Sequence, residues 1–395
     1  MDDALIDDDL SLARKSRLPG AGFFYPDSLD EEYADRRARE AIEGAEAVVV
    51  ADGDADGLGC VALLREVYDA ALDVAPFEAS LVARTDPDPT NDEDDDREES
   101  PVGLVTASPH SLDAALERVA AYADPGVDVY VCDLCPDDES AVEVVEEVVD
   151  RAEVVRWFDH HQWDDGVAAA VRGAGVDLVV GESDEECTTG VALRSLEYDF
   201  PDHFVDLAAV TRDHDLWIKE DPRSDDLADY SYWASAEEYV TVVGQYGPAL
   251  PDPVVDYLEG RRVEKRRLIE AAVDRAEMES VGPWTVGVTY GRCSQNEVAE
   301  ALREQGADAA VVVKPAGSAS IRGSDGFERA HEVAGLVDGG GHPRAAGCKP
   351  DIYDDMLDYA HHWTTEGYAT KQVILAAFER VAEKADGETE DETGE

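Results

Sequence analysis

Short apolar runs separated by polar punctuation and amphipathic stretches organise the first half of the chain. Residues 47–51 read AVVVA, 127–132 VDVYVC, 154–158 VVRWF and 176–180 VDLVV, with a shorter run at 104–105. Runs of this length and apolarity predict strands buried on both faces of a parallel sheet. A further strand is predicted near residues 79–83. Between the runs, helices are predicted over about 58–72, 111–123, 138–151, 188–197 (with Thr188 as its cap) and 204–212. Strand and helix in alternation give an α/β class with a doubly wound parallel sheet.

The second half differs. Pro222, Pro248, Pro251 and Pro253 cluster in a stretch that reads as a boundary. A long helix follows over 254–278, carrying Arg261-Arg262 and Lys265-Arg266-Arg267. A smaller α/β unit comes next: strand 284–290, helix 295–304, strand 308–314, a strand near 320–322 and a helix over 327–337. The glycine-rich run 339–347 and helices over 353–366 and 370–384 complete it. The division expected is a helical extension at 1–40, a parallel-sheet domain at 41–220, and a linker with connecting helix at 221–280. The smaller α/β domain then covers 281–384, and an acidic disordered tail 385–395.

Charge changes the picture. The chain has 395 residues with 33 Lys+Arg and 92 Asp+Glu, a net charge of −59. Disorder would require scarce apolar residues, yet 44% of the chain is hydrophobic. A folded, carboxylate-coated protein of the halophile kind is expected, with self-repulsion screened by salt. A polyanionic partner would be repelled except at local cationic groups, metal ions or high salt. Cys132 and Cys135 form a C-x-x-C pair, but no second pair stands at zinc spacing, and the scattered cysteines read as reduced thiols. The start Met1-Asp2-Asp3 has no basic and apolar leader pattern, and no apolar run is long enough for a membrane span, so a soluble cytoplasmic protein is expected.

The candidate chemistry lies where the apolar runs stop. Ligands bind outside the carboxyl ends of strands in open α/β sheets. The 47–51 run ends in Asp52-Gly53-Asp54-Ala55-Asp56-Gly57, the 127–132 run in Asp133, the 154–158 run in Asp159-His160-His161, and the 204–212 helix in Asp213-His214-Asp215. Carboxylates brought together repel, and a divalent cation removes that penalty. Carboxylates suit Mg²⁺ or Mn²⁺, and an added imidazole shifts the preference toward Mn²⁺.

Asp-x-Asp-x-Asp-Gly, a strand-ending Asp, Asp-His-His, a later Asp and Gly-Gly-Gly-His, in this order, resemble the DHH phosphoesterase superfamily. The first motif resembles the RecJ-like exonuclease branch, and residues 281–384 resemble its DHH-associated substrate-binding domain. The resemblance implies a two-metal phosphodiesterase with two divalent cations, Mn²⁺ or Mg²⁺. It implies that Asp52, Asp54 and Asp133 hold one cation, and that Asp56, Asp133, His160 and Asp213 hold the other, with Asp215 the alternative to Asp213. Asp133 would bridge, His161 would face phosphate and Asp159 would orient the site. Arg322, Gly339, Gly340, Gly341, His342 and Arg344 would bind substrate phosphate. The partners implied are single-stranded nucleic acid or short oligonucleotides, with replication or repair proteins beside them. The alternative readings are a short-oligonucleotide or cyclic-dinucleotide phosphodiesterase and a non-catalytic replication partner.

Overall fold

The computed structural model describes residues 27–85, 100–136, 141–315, 317–352 and 356–392. The rest of the predicted N-terminal extension (1–26), the acidic run 91–99 and the last three residues lie outside them. The chain divides into two compact units, Glu31–Arg261 and Arg262–Glu395.

The first unit is built on five parallel strands: β1 (Ala47–Asp52), β2 (Val102–Ala107), β3 (Asp128–Cys132), β4 (Val154–Asp159) and β5 (Asp177–Val180). Their order is β2-β1-β3-β4-β5. β1 aligns Val49 with Leu104 on one side and with Tyr130 on the other. Alternate β1 residues feed opposite faces, which is why the strands read as continuous apolar runs. Val49 and Ala51 pack with helices α2 (Ala55–Val67), α7 (Thr188–Ser195) and α8 (Asp202–Asp215). Val48 and Val50 pack with α1 (Asp27–Ile42), α4 (Leu112–Tyr122), α5 (Ala141–Arg151) and α6 (Asp165–Gly173). The chain leaves β1 for β2 on one side, while β3 pairs on the other. That switch of direction opens a crevice at the carboxyl ends of β1 and β3.

Two helices, α9 (Arg223–Trp233) and α10 (Ala236–Tyr246), occupy the stretch expected to be a linker. Leu227, Tyr230, Tyr239, Val240 and Val243 pack into the same core as Leu58 and Val61, so residues 221–261 complete the first unit. Two of the prolines read as a boundary instead start helices, Pro222 at the cap position of α9 and Pro253 in the first turn of α11 (Asp252–Asp274), while Pro248 and Pro251 lie between α10 and α11. The strand predicted near 79–83 is a helix, α3 (Ala75–Thr85). Phe77 and Leu81, four residues apart, are buried together on one of its faces.

The second unit has a six-stranded mixed sheet, β10-β11-β9-β8-β7-β6. Its strands are β6 (Glu277–Val281), β7 (Trp284–Tyr290), β8 (Ala309–Val313), β9 (Ala319–Gly323), β10 (Gly339–Gly341) and β11 (Ala345–Cys348). β7 and β8 pair in parallel, the others antiparallel. α12 (Gln295–Glu304) covers one face, while α13 (Ala330–Gly335) and α15 (Tyr368–Glu392) cover the other; α14 (Met356–Thr364) precedes α15. The predicted 254–278 helix overlaps the first two residues of β6, and the rest of that strand is not expected from the sequence. It is an edge strand with four exposed residues out of five, so it carries no apolar signature. The tail expected from residue 385 continues α15 as far as Glu392. Among the described residues no helix is long and apolar enough to cross a membrane.

One glycine fixes how α2 meets β1. A Cβ on Gly57 would stand 2.4 Å from the Asp52 carbonyl oxygen and 2.8 Å from its nitrogen. Gly57→Ala is expected to destabilise the protein by about 1–3 kcal/mol, because the obstruction is backbone and not a movable side chain. Urea denaturation checks this, and an unchanged stability contradicts it.

Candidate metal centre

The Asp52–Gly57 turn places each carboxylate differently. Asp52 closes β1 and accepts the Gly53 N–H at 2.6 Å. Asp54 caps α2, accepting the N–H groups of Asp56 at 2.9 Å and Gly57 at 3.2 Å. Asp56 lies buried in the first turn of α2. It accepts the backbone N–H of Thr188 at 2.6 Å and of Thr189 at 2.7 Å, so the N-terminus of α7 clamps it. Thr189 Oγ1 also donates to the Asp56 carbonyl at 2.8 Å. Gly59 lets α7 come this near, since a Cβ there would lie 2.4 Å from Thr189 Oγ1.

Asp133 follows β3 in left-handed backbone, φ 61°, and donates its N–H to the Phe158 carbonyl at 3.0 Å. Asp tolerates that conformation, and the turn leaves its side chain in the crevice. Thr188 Oγ1 donates to Asp133 Oδ1 at 2.7 Å. Asp159 is 0% exposed and fully engaged. It accepts from the His160 N–H at 2.8 Å and Trp163 Nε1 at 2.7 Å, and pairs with His161 Nδ1 at 2.7 Å. It therefore fixes both histidines rather than facing the crevice. His160 Nε2 lies 3.3 Å from Asp215 Oδ2 and 3.7 Å from Asp133 Oδ1.

Among the described residues, histidines and aspartates form three groups whose donor atoms all lie within 4.8 Å: Asp52, Asp54 and Asp133; Asp56, His160 and Asp215; and Asp133, His160 and His161. Asp133 belongs to two of them. Asp215 stands where Asp213 was expected. Asp213 points into the loop beyond α8, accepting Ser224 Oγ at 2.7 Å and the N–H groups of Glu220 at 2.9 Å and Asp221 at 3.2 Å. The spacing Asp213-His214-Asp215 does not say which carboxylate faces inward; the loop that consumes one of them does. Among the described residues no cysteine joins such a group; Cys132 is a buried core thiol and all six cysteines are unbridged.

The electrostatics follow from crowding. Burial, then Asp54, pushes the Asp52 carboxyl up to about 7. Burial followed by Asp56 and Asp54 pushes Asp133 well up, and the same causes push up Asp215. Asp54 reaches water at the mouth, yet the protein around it, then Asp56, raises its carboxyl as well. Asp159 runs the other way: burial opposes ionisation, but the hydrogen bond from His161 outweighs it. His161 in turn overcomes its burial through Asp159 and rises to about 9. In this cluster His160 Nδ1 and Asp215 Oδ2 are buried with no hydrogen-bond partner, although His160 Nε2 stands 3.3 Å from Asp215 Oδ2. Crowded carboxylates with raised pKa values, an imidazole and orphaned donor atoms fit divalent cations.

The remaining predicted residues lie in the second unit. Gly339, Gly340 and Gly341 form β10, paired with Cys348, Gly347 and Ala346. A Cβ on Gly339 would stand 2.1 Å from the Gly347 carbonyl oxygen, so this glycine serves close strand approach. The neighbouring His342 N–H closes the hairpin on the Ala345 carbonyl at 2.7 Å. Arg344 is exposed and ion-paired with Asp325. Arg322 donates to Asn296 Oδ1 at 2.8 Å and to the carbonyls of Ile321 and Ala346, each at 3.1 Å; burial lowers its pKa to about 10. In the basic run, Arg261 lies over the rings of Trp233 and Tyr257, and Lys265 pairs with Glu297 at 2.7 Å. Nothing in the sequence marks Thr189, Trp163 or Ser224, and Thr188, expected as a helix cap, is instead the first residue of α7 after the cap residue Cys187, with its hydroxyl given to Asp133.

Two outcomes are expected. Asp215→Asn lowers Mn²⁺ affinity at least about tenfold, whereas Asp213→Asn acts mainly on stability, by about 1–3 kcal/mol; calorimetric titration and denaturation of both variants check this, and the opposite order contradicts it. The second concerns pH. Carboxyls raised above their unfolded value of about 4 keep protons that the unfolded chain has lost. Metal-free stability therefore falls as pH rises from about 4 through the Asp52 value of about 7. His161 adds stability that is full below about 6.5 and lost toward about 9, in the same direction. At molar salt, wild type is expected to lose more stability between pH 5 and 8 than Asp133→Asn; equal losses contradict the crowding.

No protein-family model matches the chain, and a search of curated proteins finds no match either. Solved structures do match. Exonuclease RecJ bound to manganese superposes with a TM-score of 0.51 at 16% identity, covering 89% of this chain and 94% of that one. RecJ from Thermus thermophilus in complex with Mn²⁺ gives 0.51 at 16% identity, covering 89% of this chain and 55% of that one. The DHH domain of a protein described as belonging to a family of ribosomal proteins gives 0.50 at 13% identity, covering 93% and 95%. The chain has the fold of the exonuclease RecJ and of DHH-domain proteins.

Proposed function

We propose that the protein is a metal-dependent phosphodiesterase that removes terminal nucleotides from single-stranded nucleic acid. The observation that carries this is Asp133 at the switch point of a parallel sheet, grouped with Asp52 and Asp54 on one side and with His160 on the other, His160 in turn being grouped with Asp56 and Asp215. Asp52, Asp54 and Asp133 would hold one divalent cation, Mn²⁺ or Mg²⁺. Asp56, His160 and Asp215, with Asp133 shared, would hold the other. Bound there, the pair supplies an activated water and neutralises charge on the phosphate under attack.

The chain's own residues do the rest. His161, held by Asp159, offers a donor to a phosphate oxygen, and in the metal-free protein that partner raises its pKa to about 9. Thr188 fixes the Asp133 carboxylate, and the N-terminal N–H groups of α7 fix Asp56, so neither reorganises during turnover. In the second unit, Arg322, Gly339, Gly340, Gly341, His342 and Arg344 are the proposed contacts for the remaining phosphates. A complete donor set stands against a non-catalytic role, because nothing in a partner's role alone would keep carboxylates in mutual repulsion.

The test is digestion of end-labelled DNA and RNA oligomers of several lengths with Mn²⁺ at high salt. Stepwise loss of terminal nucleotides, abolished in Asp133→Asn, is expected. Cleavage confined to dinucleotides or the shortest oligomers supports the short-oligonucleotide alternative. No metal-dependent hydrolysis of any phosphodiester overturns the proposal.

A further inference from the structure

The last turns of α8 hold a buried hydroxyl that has no place in the account so far. Thr211 is 1% exposed, and its Oγ1 is buried with no hydrogen-bond partner among the described residues. A threonine inside a helix ordinarily gives its hydroxyl to the carbonyl one turn back, and here that bond is not made. A donor stranded in a packed interior is costly, and native interiors satisfy nearly all of them.

Helix geometry says where that bond goes. Asp215 follows Thr211 by four residues on α8, so the two side chains stand on one face with Cβ atoms about 5–6 Å apart. Helical side chains lean toward the N-terminus, which tips the Asp215 carboxylate over the turn that carries Thr211. Asp215 Oδ2 is itself buried with no hydrogen-bond partner, and it is the atom that His160 Nε2 approaches to 3.3 Å. A stranded donor and a stranded acceptor therefore sit one turn apart on the same face. That face closes against the metal centre. Ala208, one turn before Thr211, accepts the Cys187 thiol on its carbonyl at 3.6 Å. Cys187 caps α7, whose first two N–H groups hold Asp56, and Asp56 lies in one group of donor atoms with Asp215 and His160. Thr211 is thus bracketed along α8 by two residues that touch the centre or the helix end that clamps it.

We propose that Thr211 is a positioning residue of the metal centre: its hydroxyl donates to Asp215 Oδ2 through one bridging water and holds that carboxylate in line with Asp56 and His160 for a shared cation. One helical turn between two buried polar atoms is a span that a single water closes. The inference rests on the metal-centre reading above and extends it to a residue that touches neither cation nor substrate. Partners of this kind change metal affinity when removed, even though the ligands remain.

Thr211→Val keeps the shape of the side chain and removes the hydroxyl, whereas Thr211→Ser keeps the hydroxyl and removes the methyl. Mn²⁺ titration by calorimetry on the full chain is expected to show affinity reduced about tenfold in Thr211→Val and unchanged in Thr211→Ser. Thr211→Ala, which also lacks the hydroxyl but packs differently, is expected to match Thr211→Val. The rise in melting temperature brought by a fixed Mn²⁺ concentration should shrink in the same two variants and not in Thr211→Ser. Wild-type affinity in Thr211→Val or Thr211→Ala overturns the inference and leaves the metal centre standing. An equal loss in Thr211→Ser also overturns it, since the effect would then belong to packing. Wild-type protein that binds no Mn²⁺ overturns the metal centre itself and this inference with it.

Discussion

Repulsion among Asp52, Asp54, Asp56, Asp133 and Asp215 is the constraint on which the rest of the first unit turns. These carboxylates converge where β1, β3 and β4 end and where α8 stops. Burial and mutual charge raise four of them above their ordinary range. Left alone, the arrangement works against folding, so the surrounding structure is built to hold it. Donors are concentrated on it: the N-terminus of α7 on Asp56, the Thr188 hydroxyl on Asp133, the head of α2 on Asp54. A pair of divalent cations converts the same crowding from a penalty into an attraction.

Much of this architecture is legible in the sequence because both of its signals are strong. Strands buried on two faces give unbroken apolar runs, and the strand ends at Asp52, Cys132 and Asp159 fall where those runs stop. The Asp-rich motifs are read directly, because their place in a parallel sheet is fixed once the strands are known. What escapes depends on contacts between segments distant in the chain. Thr188 and Thr189 meet Asp56 across more than a hundred residues, and no local pattern encodes that pairing. Asp213 and Asp215 differ only in which one the loop at Glu220–Ser224 claims. The edge strand β6 has a polar face, and α3 looked like a strand because a short apolar run fits either period.

The net charge of −59 sets a condition on any polyanionic substrate. Approach must rely on screening and on a small number of local positive groups. His161, whose pKa Asp159 raises in the metal-free protein, is one proposed group. Arg322 is another proposed group, but its guanidinium is already bonded to Asn296 and to two carbonyls. Gly339 and Gly341 of β10 first serve the hairpin, since a Cβ on either would run into the backbone of β11, whereas Gly340 faces open space. Substrate contact in the second unit would therefore be made by groups whose geometry the fold has set beforehand, which favours a rigid grip over an adaptable one.

The central claim is that the converging carboxylates and His160 form a two-cation site with Asp133 shared. Crystals equilibrated with Mn²⁺ and measured at the manganese edge test it most directly. The account predicts two anomalous peaks about 3.5–4 Å apart, one against Asp52 and Asp54, the other against Asp56, His160 and Asp215, with Asp133 between them. No peak at these residues, or a single ion bound without Asp133, would contradict it.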